Sequence, residues 1–95
     1  SEILKILRSA APRLRKLGVK HLALFGSTAR GTQRPGSDLD LLLDLDQHQK
    51  IDLLDYAGII AEIQKLVPQR VEVALRHTLK PHVARNAVRD EVRIF

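Results

Sequence analysis

The sequence reads His21-Leu-Ala-Leu-Phe-Gly-Ser27 and, after ten further residues, Asp38-Leu-Asp40, and this stretch decides the fold. Its first part is short and apolar and ends at Gly26, which is typical of a buried strand. A Gly-Ser pair between such a strand and a helix start is suited to holding an anion, because glycine lets the backbone approach and helix-start amides donate hydrogen bonds. Alone, the dipeptide is more often an ordinary turn at the end of a strand, so its interpretation depends on the residues that follow it.

Two carboxylates, Asp38 and Asp40, open a second predicted strand that runs to Leu45. Leucines recur at every second position of it, which is the period of a strand with one core face. The aspartates therefore lie on one face, about 7 Å apart along the chain. Such a pair can bind divalent cations, since Mg²⁺ prefers oxygen ligands and two ions about 4 Å apart can assist an in-line phosphoryl displacement. The alternative is a solvent-facing acidic strand, although adjacent like charges are unfavourable without a cation.

A third acid, Glu72, falls on the polar face of a strand predicted from Val71 to Leu75. If this strand pairs with the one that begins at Asp38, Glu72 lies beside the two aspartates, where it can ligate a metal or accept a proton. The other interpretation is a surface glutamate on a half-exposed strand, and the sequence alone does not choose between them.

The segments before, between and after the three predicted strands show the spacing of apolar residues that is typical of helices. The first segment predicts an amphipathic helix from Ile3 to Leu17, with a bend or break at Pro12 and a stop at Gly18. Further helices are predicted from Ile51 to Leu66 and from Pro81 to Arg93. The fold class that follows from this alternation is α/β.

The composition is that of a globular chain, with 95 residues, 44% of them hydrophobic and 28% charged. We expect a single domain over residues 1–95. Cysteine is absent, and no stretch approaches the roughly 18 apolar residues of a membrane helix, so we expect a cytoplasmic protein with no membrane partner. The net charge of +5 indicates an anionic partner such as nucleotide, nucleic acid or an acidic protein. One tyrosine and two phenylalanines are too few for stacking successive bases, so any nucleic-acid contact is expected to be indirect.

The remaining side chains with chemical potential are expected to be structural. Tyr56 falls on the second predicted helix and is expected in the core or at its rim. The four histidines share neither a face nor the spacing of metal ligands, so no zinc site is predicted. They are His21, His48, His77 and His82.

In Gly26-Ser27, ten intervening residues and Asp38-x-Asp40, the chain resembles the minimal nucleotidyltransferases (MNT) of the DNA polymerase β-like superfamily. The resemblance extends over 26–31, 34–42, the strand with Glu72 and the Leu79-Lys80-Pro81 segment. It implies the minimal nucleotidyltransferase fold, α/β (α+β), with a short mixed β-sheet and helices packed on one side. It also implies transfer of a nucleoside monophosphate, with AMP from ATP as the leading expectation.

The resemblance assigns roles by position. It implies that Gly26 and Ser27 bind the nucleotide phosphates and that Arg30 is a further nucleotide-binding or partner-binding residue. It implies that Asp38 and Asp40 bind Mg²⁺ and that Glu72 completes a catalytic metal triad. The implied cofactor is Mg²⁺, as two ions, with ATP or another NTP as substrate. Glu72 departs from the family, in which the third acid is usually aspartate, and its carboxylate extends one methylene further.

A partner is implied as well. Small MNT proteins commonly act as antitoxins of HEPN-type RNase toxins in two-component systems and can transfer AMP to a toxin tyrosine. The leading hypothesis is therefore transfer to a hydroxyl of such a toxin, within a homodimer or a hetero-oligomer with the partner. Two alternatives stay open: a binding module that neutralises its partner by contact, and a transferase acting on a small molecule or RNA.

Overall fold

Helices and strands alternate along residues 2–26 and 38–95, the part of the chain that this computed structural model describes. They are α1 (Glu2–Ser9), α2 (Ala11–Lys16), β1 (Val19–Leu24), β2 (Leu39–Leu45), α3 (Leu53–Leu66), β3 (Val71–Leu75), a 3₁₀ helix (Arg76–Thr78), α4 (Pro81–Asp90) and β4 (Val92–Arg93). Within these residues, each helix is too short or too polar to cross a lipid bilayer.

The strands form one mixed sheet in the order β3-β2-β1-β4. β1 is antiparallel to both β2 and β4, whereas β2 and β3 are parallel. The predicted mixed sheet is thus confirmed, but the predicted end of the last helix at Arg93 is wrong. α4 ends at Asp90, and Val92–Arg93 pairs with β1 as an edge strand. Two residues are too few to show the alternation by which a strand is recognised in sequence.

The leucines of β2 determine which face of the sheet is the core. Leu39, Leu41 and Leu43 are at most 1% exposed and pack with Leu22 and Leu24 of β1. The first three helices contribute four side chains to the same cluster, namely Leu7, Leu14, Ile59 and Ile63. Three helices therefore pack on one side of the sheet, as predicted.

The predicted break in the first helix is also confirmed. α1 ends at Ser9 and α2 begins at Ala11, so that Pro12 lies in the first turn of α2, where its missing N–H would have no intrahelical partner. Gly18 follows α2 with φ of +111°, a conformation that side chains rarely adopt, and it turns the chain into β1.

α3 starts two residues later than Ile51 because a capping box sets its first turn. The Asp52 side chain accepts a hydrogen bond of 2.8 Å from the Asp55 N–H, and the Asp55 carboxylate accepts one of 3.1 Å from the Asp52 N–H. One turn later Tyr56 packs half-buried against the core, and this burial raises the pKa of its hydroxyl. The prediction of a core or rim position for Tyr56 is confirmed.

Candidate active site

The predicted acids lie on the second face of the sheet, opposite the face that packs on α1 to α3. On β2, Asp40, Leu42 and Asp44 alternate with the buried leucines and therefore point to this second face. The β2–β3 register aligns Asp40 with Glu72, and Leu42 with Ala74. The second face thus carries an acidic pair next to an apolar pair.

Asp40 and Glu72 start from directly opposed backbone positions on neighbouring parallel strands, about 4.8 Å apart. Asp40 is half-buried in the sheet, whereas Glu72 is exposed on β3, which pairs with β2 at the edge of the sheet that residues 2–26 and 38–95 form. Asp38 immediately precedes β2 and is half-buried. The predicted pairing of the Glu72 strand with the aspartate strand is therefore present in the structure.

Gly26 brings the end of β1 against the Asp40 carboxylate. The Phe25 N–H donates a 3.1 Å hydrogen bond to the Asp40 carbonyl, and Gly26 follows with φ of +62°. A Cβ atom at Gly26 would lie 3.2 Å from Asp40 Oδ2. A backbone that approaches a carboxylate this closely can hold a phosphate beside whatever cation the carboxylate binds. Ser27 and Arg30, the other predicted nucleotide-binding residues, lie outside the described residues.

The donor chemistry fits Mg²⁺, although the side chains do not form a ready three-acid cage. Within the described ranges, no three Asp, Glu or His side chains are grouped so that they could hold one ion. Mg²⁺ is commonly held by one or two carboxylates, with water and substrate phosphates completing its octahedron. Asp40 is one such carboxylate, and Asp38 and Glu72 are the candidates for a second. The metal triad of Asp38, Asp40 and Glu72 stays a prediction.

Replacing Gly26 with alanine is expected to lower nucleotidyl transfer by displacing the Asp40 carboxylate. The new Cβ would crowd Oδ2, and the left-handed backbone would cost about 1–2 kcal/mol of stability. The kcat/KM for transfer and the thermal melting temperature measure the two effects.

Gly58 in α3 provides the matched control, because a Cβ there meets nothing within 4 Å. Gly58→Ala is expected to leave transfer unchanged and to stabilise the helix by about 0.5–1 kcal/mol. Equal transfer rates in the two variants would show that the approach of Gly26 to Asp40 has no part in the reaction.

An ionic cluster on the same face was not anticipated from the sequence. Arg76 Nε lies 3.0 Å from both carboxylate oxygens of Asp44, and the same guanidinium binds Glu91. These hydrogen bonds, that to Glu91 foremost, raise the pKa of Arg76. Asp44 and Arg76 are 32 residues apart, as are Asp40 and Glu72. That shared offset is the signal in the sequence that could have revealed the pair.

None of the histidines belongs to a metal-binding group within residues 2–26 and 38–95. His21 is half-buried opposite Asp44, and its Nδ1 is buried without a hydrogen-bond partner. Burial and the nearby Arg93 lower the pKa of this imidazole. The acids on β2 and β3, together with Gly26, are thus the grouping that can serve phosphate chemistry.

Comparison with known proteins agrees with this geometry. The family model described as "Nucleotidyltransferase domain" matches residues 1–94. The protein adenylyltransferase MntA of Thermococcus cleftensis is 30% identical over 94 residues, which cover 98% of this chain and 93% of that protein. A Methanocaldococcus jannaschii protein named "Putative protein adenylyltransferase MJ1379" is 31% identical over 96 residues, covering 99% of this chain and 96% of its own length.

Solved structures share the fold. One described as "putative minimal nucleotidyltransferase" is 29% identical, with a TM-score of 0.72 and coverage of 94% of this chain and 93% of its own. A toxin–antitoxin structure with AMP-PNP gives a TM-score of 0.69 at 16% identity, covering 93% and 72%. A complex of tri-AMPylated Shewanella oneidensis HEPN toxin with MNT antitoxin gives 0.63 at 12% identity, covering 97% and 71%. With the family model matching nearly every residue, the chain belongs to the nucleotidyltransferase domain family and is a nucleotidyltransferase.

Proposed function

We propose that this nucleotidyltransferase transfers AMP from ATP, in a Mg²⁺-dependent reaction, to a hydroxyl of a partner HEPN-type toxin and so acts as its antitoxin. The observation that carries the proposal is the alignment of Asp40 with Glu72 beside the Gly26 backbone. In this proposal residues 1–95 act as one minimal nucleotidyltransferase domain. The nearly full-length similarity to protein adenylyltransferases supports a protein acceptor.

The reaction is a displacement at the α-phosphorus of ATP. The acceptor oxygen forms a bond to phosphorus, the bond to the pyrophosphate oxygen breaks, and the hydroxyl proton is lost. Asp38 and Asp40 would hold Mg²⁺, and a bound Mg²⁺ would supply positive charge to the phosphate oxygens and to the attacking oxygen. Gly26 leaves room for the phosphates next to Asp40. Glu72 is exposed opposite Asp40, where it can join the metal ligands or accept the proton.

The proposed identities of the partner and the nucleotide are supported by the similar structures. One of them is named as a toxin–antitoxin with AMP-PNP, and another as an AMPylated HEPN toxin with its MNT antitoxin. Both share the fold of this chain, and their names support ATP as the donor and a HEPN toxin as the acceptor.

A labelling experiment tests the proposal directly. The pure chain is incubated with a HEPN-type toxin, Mg²⁺ and ATP labelled at the α-phosphate. We expect label on the toxin, lost when EDTA replaces Mg²⁺ and when the acceptor tyrosine is changed to phenylalanine. Tight binding of the toxin without label transfer would overturn AMP transfer in favour of neutralisation by contact. Label on RNA or a small molecule instead would overturn the protein acceptor.

Substitutions at Glu72 test whether this residue is a catalytic acid or a surface glutamate. Glu72→Gln removes its charge and is expected to lower kcat for label transfer by about 10²-fold or more, the range of a lost acid–base or metal-binding group. Glu72→Asp restores the residue usual in the family and is expected to retain transfer. Wild-type kcat in Glu72→Gln would exclude Glu72 from the reaction while leaving the roles of the aspartates intact.

A further inference from the structure

The net charge of the chain is concentrated in its first two helices and the start of β1. Residues 2–20 contain six lysines and arginines but one acid, Glu2, so the net charge of this segment is +5. The rest of the chain contains ten cations and ten acids, and its formal charge is therefore zero. All six cationic side chains of the segment are exposed, and they are Lys5, Arg8, Arg13, Arg15, Lys16 and Lys20.

Two of the six cations have carboxylate neighbours from other elements. Arg13 forms an ion pair of 3.2 Å with Glu62 of α3, and Lys20 lines a small pocket together with Asp46. The other four make no ion pair with a carboxylate of residues 2–26 and 38–95. They form what we call the basic face, which comprises Lys5, Arg8, Arg15 and Lys16. Even when Glu2 is counted against them, these four leave an excess of positive charge.

The two arginines of the basic face are held in place by neutral groups. Arg8 Nε donates a 3.0 Å hydrogen bond to the Ile94 carbonyl, and the Arg15 guanidinium lies 5.1 Å from the centroid of the Phe95 ring. Because Ile94 and Phe95 are consecutive, these contacts bring α1 and α2 to the same place beyond β4. A carbonyl and an aromatic ring position a guanidinium without removing its charge. The basic face is therefore ordered at its centre and still cationic.

The composition of the basic face favours a nucleic-acid backbone over a protein or a lipid surface. Protein interfaces have an apolar centre and few lysines, whereas residues 2–20 expose one large apolar side chain, Leu17. Insertion into a membrane surface needs a free apolar side, but Leu7 and Leu14 are buried in the core. Interfaces with nucleic acids are strongly positive, because lysines and arginines bind phosphates and release counterions.

We propose that the basic face binds the phosphate backbone of double-helical nucleic acid. A duplex suits it better than a single strand, since residues 2–20 contain no aromatic side chain on which bases could stack. Contact with phosphates needs cations alone, so it goes beyond the indirect contact expected from the few aromatic residues. The one hydroxyl of residues 2–20, that of Ser9, donates to the Ile6 carbonyl, which leaves no side chain suited to reading the ribose 2′-hydroxyl.

The basic face is separate from the site of the proposed AMP transfer. It lies on α1 and α2, which pack on the first face of the sheet, whereas Asp40 belongs to the second face. Nucleic-acid binding and AMP transfer can therefore succeed or fail independently.

The test is fluorescence anisotropy of a short labelled DNA duplex, and of an RNA duplex of the same sequence, titrated with the chain in EDTA. We expect both duplexes to bind, with an affinity that falls as the salt concentration rises. Four phosphate contacts predict a slope of about −3.6 for the logarithm of the binding constant against that of the salt concentration. Lys5→Gln combined with Lys16→Gln is expected to reduce the size of this slope by about 1.8 and to weaken binding by more than about tenfold.

Lys50→Gln combined with Lys80→Gln is the matched control, because both lysines are exposed outside residues 2–20 and their loss changes the net charge equally. This variant should bind as tightly as the wild type. The proposal is overturned if neither duplex binds, if the variant without Lys5 and Lys16 binds like the wild type, or if the control is weakened as much. Displacement of the duplex by an oligoglutamate peptide of equal charge would also overturn it, in favour of an acidic protein. Binding of one duplex alone would support the proposal and reveal a preference for that form of double helix.

Discussion

Asp40→Asn is expected to lower the kcat/KM of nucleotidyl transfer by about 10³-fold while leaving the fold intact. The amide keeps the shape of the carboxylate but loses the charge that would hold Mg²⁺ next to Gly26 and Glu72. Metal-borne stabilisation of a phosphoryl transition state is worth several kcal/mol, and each 1.36 kcal/mol corresponds to tenfold in rate. Stability should hold, since the substitution relieves repulsion between neighbouring carboxylates. Label transfer and thermal melting measure the two quantities.

Asp46→Asn is the control for a lost charge just beyond the same strand. Asp46 accepts hydrogen bonds from His48 and Gln49, and asparagine can still accept them. Its transfer rate is expected to match the wild type. An Asp40→Asn variant that retains transfer within tenfold of the wild type would contradict the metal–carboxylate mechanism.

Leu41→Ala is expected to lower the free energy of unfolding by about 2–5 kcal/mol, the range for truncating a fully buried leucine. Leu41 is 0% exposed, at the centre of the face that packs on the helices. Small domains are stable by only about 5–15 kcal/mol, so this single change removes a large share of the total. Urea denaturation followed by circular dichroism measures it.

Leu54→Ala removes the same atoms from a surface position. Leu54 is 82% exposed on α3, so its truncation is expected to change stability by less than about 0.5 kcal/mol. Similar losses in Leu41→Ala and Leu54→Ala would mean that the alternation along β2 does not define the core.

The sequence sufficed for those features in which one segment carries its own signal. Alternating leucines located β2, and the Pro12 and Gly18 positions located the break and the end of the first helical segment. β4 could not be found in this way, because its two residues are strand only through their pairing with Ala23 and Leu24. Strand pairing is a property of two segments, and periodicity reports on one.

In the candidate site, too, the features signalled within one segment were predicted, and those that depend on strand pairing were not. The spacing of Gly26 and Asp40 anticipated two positions that do meet across β1 and β2. The binding of Asp44 by Arg76 was missed, because Arg76 lies just past the end of β3 and faces Asp44 only once the parallel register is known. Side-chain rotamers around Asp38 and Glu72 are likewise beyond what residue spacing can specify.

The ion pairs of Arg76 bear on the face of the sheet to which Glu72 points. Glu72 lies on β3, which pairs with β2 alone among the strands that the structure describes. A slip of one residue along β2 would turn Glu72 away from Asp40 and towards the helices. Such a slip would also pull Arg76 off Asp44, to which it is bound at 3.0 Å four residues further along. The contact of Arg76 with Asp44 therefore favours the register that keeps Glu72 beside Asp40, as the proposed reaction requires.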